Sequence, residues 1–175
     1  MVRRVFLGVG PVSGMERSDL LDLLREDART PAADLARMLD TDEAAVRAAL
    51  EELEDDGTVR GYRAVVDPER LDEERVEAVV ELNVTLDRET GYEDIAGRLV
   101  KFEEVRGLRL VSGDYDFALT VEGESMRAVS RFVSDQVAPV PEVTQTVTHF
   151  VMQTYKEAGI AFEDGEDDDR LSVTP

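Results

Sequence analysis

Near residue 76 the spacing of apolar residues along this chain changes period, and few folds accommodate that change. Before it, leucines and valines recur at helical spacing. After it, Val80, Leu82, Val84 and Leu86 alternate with Glu81, Asn83 and Thr85. The first pattern lines one face of a helix; the second lines one face of a half-buried strand. A helical block followed by a block that mixes strands and helices implies an α+β chain in two parts. Its 175 residues leave room for two small domains.

Residues 18–57 read as three short helices. The first carries Leu20, Leu21, Leu23 and Leu24 behind Ser18, a good N-cap type. The second opens at Thr30-Pro31, a cap followed by proline at the first helical position, and turns Leu35, Met38 and Leu39 inward. A very short break at Asp40-Thr41 follows. The third helix takes Thr41 as its cap, Asp42 and Glu43 in its positive first turn, and Val46, Leu50 and Leu53 as its buried stripe. Asp40 suits the break because aspartate tolerates positive φ better than most residues. Gly57 sits where a C-terminal cap belongs. Two helices across a tight turn behind a supporting helix make a helix-turn-helix, assigned to residues 15–57. Residues 58–66 read as a strand that Asp67-Pro68 stops, inside a linker strand and hinge spanning 58–75.

From 76 to 156 the order is strand-helix-strand twice. Ile95, Leu99 and Phe102 mark the first helix. Two strands meet at Ser112-Gly113-Asp114, and the second places Phe117, Leu119 and Val121 on one side. Met126, Val129, Phe132 and Val133 mark the second helix, Pro139 and Pro141 break it, and a last strand runs from Val143 to about Gln153. This is the ferredoxin-like βαββαβ arrangement, with both helices on one sheet face. The other face is expected to show Asn83, Thr85, Ala118, Thr120, Thr146 and Thr148, a mildly polar surface suited to packing against a second sheet in a homodimer or higher homo-oligomer. Residues 157–175 read as a solvated acidic tail. Their run Glu163-Asp164-Gly165-Glu166-Asp167-Asp168-Asp169 lacks the alternating ligands of a calcium loop.

Composition narrows the setting. The formal net charge is −20, spread along the chain, and Lys101 and Lys156 are the only lysines. Adaptation to a cytoplasm of high salt accounts for this better than a dedicated acidic surface, because the Debye length falls to about 3 Å at 1 M and self-repulsion is screened. The absence of cysteine excludes disulfide and thiol chemistry and fits a cytoplasmic protein. No apolar run is long enough for a membrane-spanning helix. Residues 1–14 form an N-terminal extension; its Arg3-Arg4 and Val5–Val9 run is too short for a convincing signal peptide, and Met15 is an alternative start.

Three segments carry a family likeness: 53–62 (Leu53-Glu54-Asp55-Asp56-Gly57-Thr58-Val59-Arg60-Gly61-Tyr62), 110–116 (Leu110-Val111-Ser112-Gly113-Asp114-Tyr115-Asp116), and Val143–Thr148 with Val151-Met152. In this order and spacing, the chain resembles the Lrp/AsnC family of feast/famine transcription regulators over about residues 16–156. The resemblance implies a winged-type helix-turn-helix that binds double-stranded DNA. It also implies a ferredoxin-like domain that dimerises through its sheet and takes a small effector, usually an amino acid, between subunits. Gly113, Asp114 and Asp116 on the hairpin, with Thr146 and Thr148 on the last strand, are the implied effector residues. A carboxylate accepts from an α-ammonium group, while hydroxyls and turn amides meet an α-carboxylate. Gly113 and Asp114 also suit a tight turn for its own sake.

DNA contact would fall to Arg47 on the third helix, whose other outward positions are Ala44, Ala45, Ala48 and Glu51, and to Arg37, Arg60 and Arg63 as phosphate contacts. The segment as a whole is acidic, so the usual basic footprint is missing. A sensing or assembly module that no longer binds DNA therefore stands as the alternative. A catalytic role is not expected. Relatives that decarboxylate sirohaem would need several acid-base or cationic groups, and this chain has one histidine, His149, read as a packed or interface residue. Neither a histidine-cysteine metal site nor a nucleophilic triad nor a phosphate loop is discernible, and no cofactor is expected.

Overall fold

The computed structural model describes residues 16–72 and 75–162. The 1–14 extension and the Glu163–Asp169 acid run lie outside the described residues. Contacts divide the chain into two compact units between Ala64 and Val65.

The N-terminal unit holds α1 (Arg17–Glu26), α2 (Ala32–Met38) and α3 (Glu43–Asp55) around Leu20, Leu35, Ala36, Val46 and Leu53. Three caps differ from the expectation by a residue or two. Glu16, not Ser18, precedes α1, and its carbonyl accepts from Asp19 and Leu20. Pro31 is the N-cap of α2, its carbonyl accepting from Asp34 and Leu35, and not the first helical residue. Asp42, not Thr41, caps α3: its Oδ1 accepts from the Ala45 N–H at 2.9 Å. The reason lies in the turn. Asp40 adopts φ +50°, and the Thr41 N–H closes back on the Ala36 carbonyl at 3.0 Å, so Thr41 finishes α2 and leaves the next residue to start α3. Met38, expected inside, is 60% exposed. Gly57 has φ +74° and ends α3, donating to the Glu54 carbonyl, a conformation only glycine adopts cheaply.

Arg17 ties α1 to α3. Its guanidinium sits 2.5 Å from an Asp56 oxygen and 3.3 Å from Glu52. The Arg17 hydrogen bond, with further bonds from Thr58, lowers the Asp56 carboxyl to about 2. The folded value lies below the ordinary 3.8, so this contribution is complete above pH 3.8 and is lost as pH falls towards 2. Helicity of this unit is expected to fall in a step inside that window. Acid titration by circular dichroism should show the step vanish in Asp56→Asn; an unchanged step would assign it to other carboxylates.

Residues 58–66, expected as a strand, join no ladder, since no strand among the described residues pairs with them. The Tyr62 hydroxyl instead reaches back to Glu54 at 2.8 Å, which raises the Tyr62 pKa. A 3-10 turn at Pro68–Arg70 follows, capped by Asp67.

The C-terminal unit contains β1 (Val76–Val84), α4 (Tyr92–Leu99), β2 (Val105–Leu110), β3 (Phe117–Gly123), α5 (Met126–Phe132) and β4 (Val143–Phe150). All pairings are antiparallel, in the order β2-β3-β1-β4, so the βαββαβ unit is ferredoxin-like. Alternation supplies its core. Ala78, Val80 and Leu82 of β1 and Phe117, Leu119 and Val121 of β3 meet Ile95 and Leu99 of α4 and Val129 and Phe132 of α5. Apart from Ala78, each such side chain contributes about 1.5–3 kcal/mol on burial. After Phe132 the helix widens into a π-helical turn, Val133–Val137; Met126, expected inside, is 49% exposed. Residues 157–162, expected as the start of the tail, belong instead to a small hairpin of β5 (Lys156–Glu157) and β6 (Ile160–Ala161).

One expectation about the sheet is wrong in phase. Thr146 pairs with Leu82 and Thr148 with Val80, so both threonines face the helices. The face that the described residues leave uncovered carries Val79, Glu81 and Asn83 of β1, Ala118 and Thr120 of β3, and Gln145, Val147 and His149 of β4. A register irregularity at Asn83/Val84, opposite the start of β4, shifts the parity of the last strand.

Candidate functional site

In the N-terminal unit, α3 presents Ala44, Arg47, Ala48 and Glu51 outward. Arg47 is held by its own helix: its Nε donates to Glu43 at 2.9 Å. Arg37 of α2 is likewise paired with Asp34. Arg60 and Arg63 are exposed and make no ion pair among the described residues; the Arg60 guanidinium lies over Gly57. The four expected DNA contacts thus divide into two clamped cations and two open ones. Glu43, which governs the availability of Arg47, was missed from the sequence although its i,i+4 spacing is a legible signal.

In the C-terminal unit the hairpin between β2 and β3 is closed by Val111 N–H donating to the Asp116 carbonyl at 2.9 Å. Gly113, at φ +151°, and Asp114 lie exposed at its tip. Asp116 is different. Its N–H donates to Leu82 at 2.9 Å, its Oδ2 accepts from the Val84 N–H at 2.8 Å, and its Oδ1 accepts from the Tyr92 hydroxyl at 3.0 Å. One side chain therefore joins the end of β1, the base of the hairpin and the first residue of α4. The bond to Asp116, with burial, raises the Tyr92 phenol pKa, and the Tyr92 ring stands edge-on to Phe117 at 5.7 Å. Tyr92 was also missed, and nothing local in sequence announces it.

Thr146 and Asp116 flank β1 from opposite sides at Leu82, two strand spacings or about 10 Å apart. Thr148 lies two residues further along β4, beside Val80. The five expected effector residues therefore share one half of the sheet without converging on one point. On the uncovered face, His149 Nε2 lies 3.2 Å from Glu81 Oε1.

Known proteins match both units. Residues 17–60 fit a winged helix-turn-helix DNA-binding model and residues 77–160 fit the Lrp/AsnC ligand binding domain. The transcriptional regulator YugG of Bacillus subtilis is 34% identical over 161 residues, covering 91% of this chain and 97% of its own length. The chain belongs to the Lrp/AsnC family. It is a helix-turn-helix transcriptional regulator of that type, as the resemblance of 53–62 and 110–116 implied. The leucine-responsive regulatory protein of Salmonella typhimurium is 27% identical, with 85% of this chain and 91% of that protein covered. Among solved structures, a Neisseria meningitidis regulator in complex with L-Met aligns at TM-score 0.64 and 26% identity, covering 81% of this chain and 90% of that one. The Mycobacterium tuberculosis feast or famine regulatory protein complexed with L-methionine aligns at 0.64 and 26%, over 80% and 92%. No helix among the described residues of this Lrp/AsnC chain is long and apolar enough to cross a membrane.

Proposed function

We propose that this Lrp/AsnC regulator acts in the cytoplasm as a homodimer or higher homo-oligomer, binds double-stranded DNA through residues 15–57 with help from the 58–75 linker, and responds through residues 76–156 to an amino acid bound near the hairpin. The observation that carries it is the sheet: helices cover one face, while Val79, Ala118, Thr120 and Val147 leave the other without a partner among the described residues. A second copy of the same face would complete a two-sheet core and bring two recognition helices into one symmetric dimer, as half-site recognition requires. The L-Met complexes of two relatives support the effector class. Gly113 and Asp114 at the tip remain the proposed contacts, with Thr146 and Thr148 reached only by a ligand or partner that enters from the helix side. Asp116 supports the pocket by shaping it. Genome-wide crosslinking with and without an amino-acid panel tests the proposal; recovery of no DNA under any condition would overturn it.

A non-enzymatic role fits the same picture, with the single histidine placed beside Glu81 on the uncovered sheet face. The sensing module without DNA binding keeps one observation in its favour, the clamping of Arg37 and Arg47 by Asp34 and Glu43. Substitutions separate the two readings. Arg60→Ala and Arg63→Ala are each expected to weaken all duplexes alike, with about a unit less salt slope apiece. Arg47→Ala is expected to cost about 1–3 kcal/mol on its target site, while Glu43→Gln releases Arg47 and tightens binding. Filter binding across a potassium chloride series up to molar concentration reads each effect; an unchanged affinity in Arg47→Ala would remove that residue from the interface.

A further inference from the structure

The C-terminal unit contains a cavity of about 660 Å³ that the regulatory reading leaves unused. It opens where β1 and β2 begin and β3 ends, six residues along β3 from the hairpin side, or about 20 Å away. Its volume falls in the range of small-molecule sites, about 300–1,000 Å³. The back is apolar, formed by Val129 and Phe132, and Phe132 is fixed by an edge-on contact with Phe102 at 5.4 Å. Helix α5 is seated close over the strand end: a Cβ on Gly123 would meet Val129 Cγ2 at 2.9 Å. The walls are therefore set by packing.

Charge decides what would enter. The lining holds four carboxylates against two guanidiniums. Arg75 and Arg106 both turn to Glu122, at 2.6 and 2.8 Å, and hold its carboxyl below the ordinary range. The carboxylates of Glu103, Glu104 and Glu124 remain at the rim with no hydrogen bond or ion pair among the described residues. An anion would meet this rim first and be repelled. A point cation is a poor match too, since no three carboxylates among the described residues converge as a metal site does. The arrangement suits positive charge spread along an apolar chain. Methylenes would lie on Val129 and Phe132 while ammonium groups reach the separated rim carboxylates.

We propose that this cavity binds a linear aliphatic polyamine, as a second ligand site distinct from the hairpin. Nothing in the proposal depends on what the hairpin binds. Isothermal titration calorimetry of the full chain with spermidine is expected to give one saturable site per chain. Each of Glu103→Gln, Glu104→Gln and Glu124→Gln should weaken it about threefold, and the triple variant about 30-fold. Ala128→Met, which fills the cavity from α5, should abolish it in a protein whose circular dichroism is unchanged. Glu93→Gln, an equal charge loss elsewhere on the unit, and Asp114→Asn at the hairpin should leave affinity within about twofold. Many weak sites, or equal sensitivity to Glu93→Gln, would overturn the proposal in favour of general attraction to an acidic surface. Should Ala128→Met disturb folding, the rim variants against Glu93→Gln still decide the matter.

Discussion

Asp116→Ala is expected to destabilise the C-terminal unit by about 3 kcal/mol, more than any other exposed or half-buried substitution near the hairpin. The side chain accepts from a backbone N–H at Val84 and from the Tyr92 hydroxyl, and alanine orphans both donors in a part-buried site. Bonds to a carboxylate are about twice as strong as neutral ones, so the loss exceeds that of an ordinary turn aspartate. Asp116→Asn keeps one acceptor and should lose less; Tyr92→Phe removes a single donor and should lose least. Urea denaturation of the three variants at neutral pH orders them. A loss below about 1 kcal/mol in Asp116→Ala would mean that the hairpin is anchored by its own ladder alone. The same variant is expected to weaken effector binding while leaving the exposed Asp114 in place, because the tip would lose its fixed relation to α4.

Val79→Glu is expected to convert the proposed dimer to monomers. Val79 lies at the middle of the uncovered face, opposite Thr120 on β3 and His149 on β4. A carboxylate there stands between Glu77 and Glu81 on the same strand face. In a lone subunit it remains hydrated and changes thermal stability little. Buried against a second copy it meets the same acidic row by symmetry, and an uncompensated buried charge costs about 3–5 kcal/mol, which weakens association by a factor of about 10²–10⁴. Light scattering at micromolar concentration reads the mass directly. DNA affinity should fall with it, since each half-site would then be bound alone. A variant that stays dimeric would remove this sheet face from the interface.

Periodicity made much of the fold legible. Val80 and Leu82, Ile95 and Leu99, and Phe117, Leu119 and Val121 declare their faces because each must repeat with its element to reach one core. The choices that escaped depend on partners distant in sequence or on competition between neighbours. Thr41 and Asp42 are both good caps, and which one serves is settled by the Thr41 N–H closing α2. Val143, Val147 and Val151 suggest one inward face for the last strand, but the irregularity opposite Asn83 turns Thr146, Thr148 and Phe150 inward instead. Residues 58–66 have strand-like composition but find no strand to pair with among the described residues. In the candidate site, Asp116 was recognisable as important, whereas its role was not: only the fold brings Val84 and Tyr92 to its two oxygens.

The pairing of Arg47 with Glu43 has a consequence for how this protein would meet salt. A phosphate that takes up Arg47 must first part it from a carboxylate of its own helix. DNA then releases a counterion, but Glu43, newly bare, gathers one from solution. The two exchanges nearly cancel, and Arg37 with Asp34 behaves alike. Ion release, which weakens most protein–DNA complexes as salt rises, would be left to Arg60 and Arg63. An acidic recognition domain built this way trades peak affinity in dilute buffer for a grip that varies little with ionic strength.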